Sequence, residues 1–241
     1  PAIDMQAAQL ACISNWVDVN FVRPLPKQDN AFRRAHNLKD KFVVLYAGNI
    51  ARTQGVRTIL HSAAQLQDNK NIQFVIVGEK SQLSELDKLR AQLNVHNVTL
   101  LPFVPREELP EMLAAADVSL IMQKRNVVGF NMPSKTQVIM ASGRPVIASV
   151  PVQGAAADAV RDSNGGLVVP PESPTDLTEA ILALHDDPES TEMYGKRGRQ
   201  YAIDNYSFTQ ALTAYEALLK SSLMPEKSPE GIFANNRALL R

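Results

Sequence analysis

The sequence predicts an α/β fold, a doubly wound parallel sheet, on three observations. Short runs rich in β-branched and aromatic residues alternate with longer segments of helical spacing. Two of the runs, Phe42-Val43-Val44-Leu45 and Phe74-Val75-Ile76-Val77, are apolar at every position, as strands are when both faces are buried in a parallel sheet. The connections between runs and helical segments are short, which suits strand–helix–strand crossovers.

In chain order, strands are expected at 10–14, 42–47, 72–77, 98–101, 118–122, 145–148 and 167–169. The first clear helix has the apolar face Val56, Ile59, Leu60, Ala63 and Leu66. The second has Leu83, Leu86, Leu89 and Leu93, and the third, over 107–116, has Leu109, Met112, Leu113 and Ala116. Further helices are expected at 136–142, 155–161, 174–185, 189–205 and 208–220. Local chemistry agrees with these boundaries. Ser173-Pro174 reads as an N-cap followed by a proline at the first helical position. Gly143 suits the C-terminal stop of the 136–142 helix, and Pro188 separates two helices. After Ser222 the run Met224-Pro225-Glu226-Lys227-Ser228-Pro229 reads as a tail. The expected organisation is therefore one Rossmann-like domain over 1–222 and a tail over 223–241. The chain opens on Pro1 rather than Met, which suggests a fragment, and its start is read as artificial.

Composition narrows the function. Lys+Arg and Asp+Glu are 25 each, so there is no basic excess to hold nucleic acid. Arg33-Arg34 is too short a basic run to change that. A single cysteine, Cys12, excludes a disulfide framework and a multi-cysteine metal site. Cys12 and Trp16 read as packing residues. His36, His61, His96 and His185 lack metal-ligand spacing, and no Asp-x-Asp pair exists to hold a divalent ion. No metal and no cofactor are expected. No apolar run reaches the roughly 18 residues of a membrane span, and no signal pattern opens the chain.

Ligands of open α/β sheets sit beyond the carboxyl ends of the strands, so the residues following each strand are the candidates. After 42–47 comes Gly48-Asn49-Ile50-Ala51-Arg52-Thr53-Gln54-Gly55. Two glycines before a helix let backbone N–H groups approach a phosphate, and ordinary turn glycines would look the same. The loop is neither a Walker A motif nor G-x-G-x-x-G, and the acidic ribose residue of dinucleotide enzymes is missing, which argues against a dehydrogenase. After 118–122 comes Gly129-Phe130-Asn131-Met132-Pro133-Ser134-Lys135. Pro133 suits the first helical position, which leaves Lys135 in the first turn, where the helix dipole disfavours a cation. Either a bound anion answers that lysine or it is simply solvated. Glu79 and Lys80 follow 72–77, and Phe103 and Val104 follow 98–101. Both pairs would share the rim and are candidates for the base region. Glu79 and Lys80 read equally as loop charges.

These stretches together resemble the C-terminal, donor-binding domain of GT-B glycosyltransferases, specifically glycosyltransferase family 4. The resemblance rests on Ile13-Ser14-Asn15-Trp16-Val17-Asp18 at the entry and on the Gly48–Gly55 loop. It extends through Ala115-Ala116-Asp117-Val118, Met140-Ala141-Ser142-Gly143-Arg144-Pro145, Gly165-Gly166-Leu167 and Tyr206-Ser207-Phe208. It covers roughly 10 to 220. It implies one half of a GT-B fold and retaining transfer from a nucleotide diphosphate sugar without a required metal. A glycan or lipid-linked acceptor would bind an N-terminal domain absent from this chain, which alone is expected to be inactive. That half would carry an acceptor-side histidine, and none of the four here is assigned to it. The location implied is cytoplasmic, or peripheral at the inner face of the cytoplasmic membrane. The implied phosphate residues are Gly48, Asn49, Arg52, Gln54, Gly55, Pro133, Ser134 and Lys135. The sugar and ribose region is Phe130, Asn131, Met132 and Val138.

Four positions depart from the family pattern. Asn49 and Gln54 stand where the family commonly has Arg and Lys, and Phe130 and Val138 stand where it has two glutamates. Lys135, with Arg52 as second candidate, would then supply the missing phosphate cation. The pattern resembles a subgroup acting on deoxy or amino sugars in surface polysaccharide assembly. A non-catalytic homologue that binds nucleotide sugar, and an epimerase of the same architecture, are the alternatives.

Overall fold

The computed structural model describes residues 11–127 and 132–223, the last two by backbone alone. Phe130 and Asn131, together with most of the expected tail, lie outside the described residues. Six parallel strands form one sheet: β1 (Phe42–Ala47), β2 (Ile72–Gly78), β3 (Val98–Pro102), β4 (Val118–Met122), β5 (Val146–Ser149) and β6 (Gly166–Val169). Their spatial order is β3-β2-β1-β4-β5-β6. The order reverses between β1 and β4, which is the doubly wound arrangement with its switch point there.

Alternate side chains of each central strand enter two separate cores. Val43, Leu45, Val75, Val77 and Ile121 lie on one face, and Val44, Tyr46, Phe74, Ile76, Leu120 and Met122 on the other. Burial on both faces accounts for strands without polar positions. The second face is covered by α2 (Arg57–Gln65), α3 (Lys80–Gln92) and α7 (Pro174–Asp186). The first is covered by α1 (Ala31–Ala35), α4 (Leu109–Ala114), α5 (Lys135–Ala141), α6 (Ala155–Ser163) and α8 (Pro188–Tyr206). A last helix, α9 (Phe208–Leu223), follows α8 after a break at Ser207. No helix among the described residues is long and apolar enough to cross a membrane.

The amino end of the sheet is fixed by Asp117, which immediately precedes β4. Its carboxylate accepts from the backbone N–H of Val43 at 2.8 Å, bonds Lys27 Nζ at 2.5 Å and pairs with the buried guanidinium of Arg33. Arg33 also donates to the carbonyls of Ala115 and Lys41, at 2.8 and 3.0 Å. One buried carboxylate thus ties α1 and the loop before it to the start of both central strands.

Five expectations need correction. Segment 10–14 is not a strand over its described part. Residues 11, 12 and 14 are exposed, and the entry pairs only further on, where Val17 bridges Ser207 and its N–H donates to Tyr206 O at 2.8 Å. Trp16 and Cys12 are not core packing residues: Trp16 is 50% exposed, stacked edgewise on Phe208 at 5.8 Å, and Cys12 is exposed. The expected helix over 107–116 is a 3-10 turn (Arg106–Glu108) followed by the shorter α4, with Pro110 in its first turn. Pro133 is not the first helical residue. Ser134 occupies the cap position and Lys135 opens the helix, while Pro133 O accepts from Thr136 N at 2.9 Å. Pro188 opens α8 rather than lying between helices. Asp187 caps it by accepting from Ser190 N at 3.0 Å, and proline costs nothing at that position because its N–H would be unpaired. Gly143 does follow α5 at φ +71°, a conformation that favours glycine.

Candidate functional site

The carboxyl ends of β1 and β4 part at the switch point, and the loops that follow them meet there. After Ala47 the chain turns sharply at Gly48, whose φ of +146° suits a residue without a side chain. Gly48 N–H still donates to Val77 O at 3.0 Å, extending the β2 ladder by one bond. The Tyr46 hydroxyl then donates to Asn49 O at 2.6 Å, and Ile50 N–H donates to the Gln82 side chain of α3 at 3.0 Å. A 3-10 turn over Arg52–Gln54 and the left-handed Gly55 complete the loop. It is joined to the segment after β4 by Lys124 N–H donating to Thr53 O at 2.8 Å.

Lys135 enters this junction from the start of α5. Its Nζ lies 4.1 Å from the centroid of the Tyr46 ring and 3.3 Å from Gln54 Oε1. A Cβ at Gly48 would stand 3.2 Å from the same nitrogen, so the absent side chain leaves room for it. Gly48, Gln54 and Lys135, far apart in sequence, are thereby brought together. Among the described residues no carboxylate pairs with Lys135; its neighbours are a neutral amide and an aromatic face. Burial lowers its pKa to about 8. The helix dipole adds a further penalty of about 0.3–1 kcal/mol to the cation. A cation held in this way lacks a counter-ion.

Beside it, on the α4–α5 side of the sheet, is a cavity of about 300 Å³. Its lining includes Leu45 and Ala47 of β1, Ser119 of β4, and Ser134, Lys135, Gln137 and Val138 around the start of α5. Trp16 and Leu109 also line it. Ser119 Oγ and Gln137 Oε1 are buried and have no partner among the described residues. Buried polar atoms are nearly always satisfied, so two such atoms on one cavity wall mark a place for a hydrogen-bonding ligand or water.

The other candidates occupy the same rim less intimately. Asn49 and Arg52 are exposed, with Arg52 in the 3-10 turn. Glu79 stands at the cap position of α3 without a side-chain capping bond and Lys80 opens the helix, both exposed. Phe103, half exposed, and Val104 follow β3, whose Pro102 pairs in register with Gly78 of β2, so the two base-region pairs are neighbours across that edge. Met132 accepts weakly from Gln137 Nε2, at 3.9 Å to sulfur. Among the described residues no group of three or more His, Cys, Asp or Glu could hold a metal ion. Ser119, Gln137 and Gln82 were not singled out in the sequence. Ser119 carried a usable signal, being the one hydroxyl in an otherwise apolar strand; Gln137 and Gln82 carried none.

Residues 28–201 match the family model "Glycosyl transferases group 1", and the chain belongs to that family. It is 30% identical over 219 residues to the probable glycosyltransferase WbjE of Pseudomonas aeruginosa, covering 90% of this chain and 54% of that protein. It is 28% identical over 181 residues to the alpha-D-kanosaminyltransferase of Streptomyces kanamyceticus, covering 74% of this chain and 45% of that one. The fold matches that of Anabaena Alr3699/HepE in complex with UDP-glucose, with a TM-score of 0.76 and 20% identity over 90% of this chain and 59% of that one. The chain thus spans about half the length of the curated relatives it matches.

Proposed function

We propose that this chain is the C-terminal, donor-binding half of a retaining GT-B glycosyltransferase of family 4. On this reading 1–222 forms the donor domain and 223–241 a tail. A sugar passes from a nucleotide diphosphate donor to a glycan or lipid-linked acceptor held by an N-terminal domain. The observation that carries the reading is Lys135: a half-buried cation without a carboxylate partner among the described residues, at the switch point, against the glycine-bearing loop. A diphosphate there would answer the charge and the helix dipole together. Lys135 Nζ also sits against Gln54 Oε1, at the position where the resembling family carries a lysine. One lysine replaces another from a different loop. The nucleoside would extend from there towards Val138, Leu109 and the Phe103-Val104 edge. Ser119 and Gln137 would meet hydroxyl groups of ribose or sugar.

The relatives support the subgroup. WcaI of Escherichia coli is described as a putative colanic acid biosynthesis glycosyl transferase, and another relative transfers kanosamine. Titration with a panel of UDP- and GDP-sugars tests the reading. Saturable binding to a diphosphate sugar is expected, and none to any member would refute it. Val138, apolar on the cavity wall, favours a second reading in which the protein binds nucleotide sugar without turning it over. Binding without transfer by the protein joined to its N-terminal half would select that reading.

Two further results are expected. The diphosphate is neutralised by protein cations on this reading, so transfer by the full protein survives EDTA; abolition by chelator and rescue by Mn²⁺ would contradict this. Affinity also depends on pH through Lys135. With a pKa of about 8 the ammonium is mostly charged at pH 7 and mostly neutral at pH 9. Diphosphate oxygens are already ionised across that range. UDP affinity relative to uridine should therefore fall roughly tenfold between pH 7 and 9. A flat profile would show that Lys135 does not contact phosphate.

A further inference from the structure

At the opposite rim of the sheet, beneath the amino ends of β1, β4 and β5, lies a second cavity of about 600 Å³. Its wall carries Lys27, Asp117, Arg144, Lys196 and Arg199. The charges do not balance. Asp117 is shared by Lys27 and, behind the wall, Arg33. Lys196 is neutralised by Glu192 at 2.6 Å. Arg144 and Arg199 have no carboxylate partner among the described residues and donate to carbonyls instead. Arg144 Nη2 bonds Leu25 O and Ala114 O at 2.8 and 2.7 Å, while its Nε is buried with no acceptor among the described residues. Arg199 bonds Val19 O, Val22 O and Ala141 O at 2.7 to 2.9 Å. The wall thus carries four cations, Lys27, Arg144, Lys196 and Arg199, against two carboxylates, Asp117 and Glu192, and Arg33 adds a further cation behind it on Asp117.

We infer that this cavity is a binding site for a small phosphate-bearing anion. Burial lowers the pKa of Arg199 and, against the partial compensation of the nearby Asp117 carboxylate, that of Arg144, so their charge is held at a cost that an anion would offset. Guanidinium groups match the oxygens of a phosphate in pairs, and the volume is that of a metabolite site rather than of a lone ion. The occupant is not the sugar donor. None of these residues belongs to the donor rim, and the strands separate the two sites, so the inference stands apart from the donor reading. Helix α5 is one link between the two sites, beside β1 and β4, which run from one to the other. Lys135 is its first residue, Arg199 holds the carbonyl of its last residue, Ala141, and Arg144 follows just beyond Gly143. Occupancy that redirects Arg199 or Arg144 would change how the far end of the Lys135 helix is held.

Inorganic phosphate is the probe, titrated calorimetrically against the protein at constant ionic strength set with chloride. The Lys135→Ala background removes the donor-rim cation. Saturable binding at or below millimolar concentration is expected in that background. It should weaken at least tenfold in Arg144→Gln, in Lys27→Gln, or in both. Lys27 is half exposed and its loss leaves Arg33 on Asp117, so the second variant folds even if the first does not. Absence of saturable binding in the Lys135→Ala background, or a smaller change in every variant that folds, overturns the inference.

Discussion

Replacing Lys135 by alanine should weaken UDP or GDP binding ten- to a hundredfold while leaving uridine or guanosine binding unchanged. If Lys135 meets the donor diphosphate as proposed, the substitution removes a charge-assisted hydrogen bond to phosphate in a partly dehydrated site, worth about 1.5–3 kcal/mol. At about 1.4 kcal/mol per decade this gives the stated range. The unliganded protein should not suffer. Lys135 is held there against burial and against the helix dipole, and the groups it meets among the described residues, Gln54 and the Tyr46 ring, carry no charge. Its removal should leave the melting temperature unchanged or raise it. A variant that melts several degrees lower and keeps its diphosphate affinity would make Lys135 a structural residue and move the phosphate site to Arg52 and the Gly48–Gly55 loop.

Replacing Asp117 by alanine should have the largest effect on stability. The carboxylate is buried, and its removal strands the buried Arg33 guanidinium and the Val43 N–H. Breaking a buried ion pair from one side costs about 3–5 kcal/mol, because the remaining charge is left uncompensated. For a domain of this size that lowers the melting temperature by on the order of 10 °C. Asp117→Asn keeps one acceptor and should cost less. A destabilisation below about 1 kcal/mol in the alanine variant, measured by thermal or urea melts, would mean that the Arg33 pair does not anchor the sheet.

Much of the fold was legible because burial on both faces leaves a signature in the strands. The 42–47 and 118–122 runs coincide with β1 and β4, and the other four core strands fall within a residue or so. Segment 10–14 misled because an apolar stretch satisfies the strand pattern whether or not a sheet edge is available to it. Helix α1 escaped notice because its five residues, Ala-Phe-Arg-Arg-Ala, carry no helical stripe. It is held by Asn30 accepting from Arg33 N–H and by Arg33 itself, whose partner Asp117 is 84 residues away. The rim was legible from the rule that ligands lie beyond the carboxyl ends of strands. Lys135 stood out through its conflict with a helix dipole, a local feature. Its meeting with Gln54 and Tyr46 depends on how two loops cross at the switch point, which no local pattern encodes. Ser119 and Gln137 matter through what they lack inside the fold, and an unpartnered atom leaves no trace in a sequence.

The most direct test of the account is a crystal structure of this chain soaked with UDP- and GDP-sugars. The account places the diphosphate between Lys135 Nζ and the backbone of the Gly48–Gly55 loop, with the nucleoside running past Val138 towards Phe103 and Val104. A diphosphate bound elsewhere, with Lys135 still turned onto Gln54 and Tyr46, would contradict it.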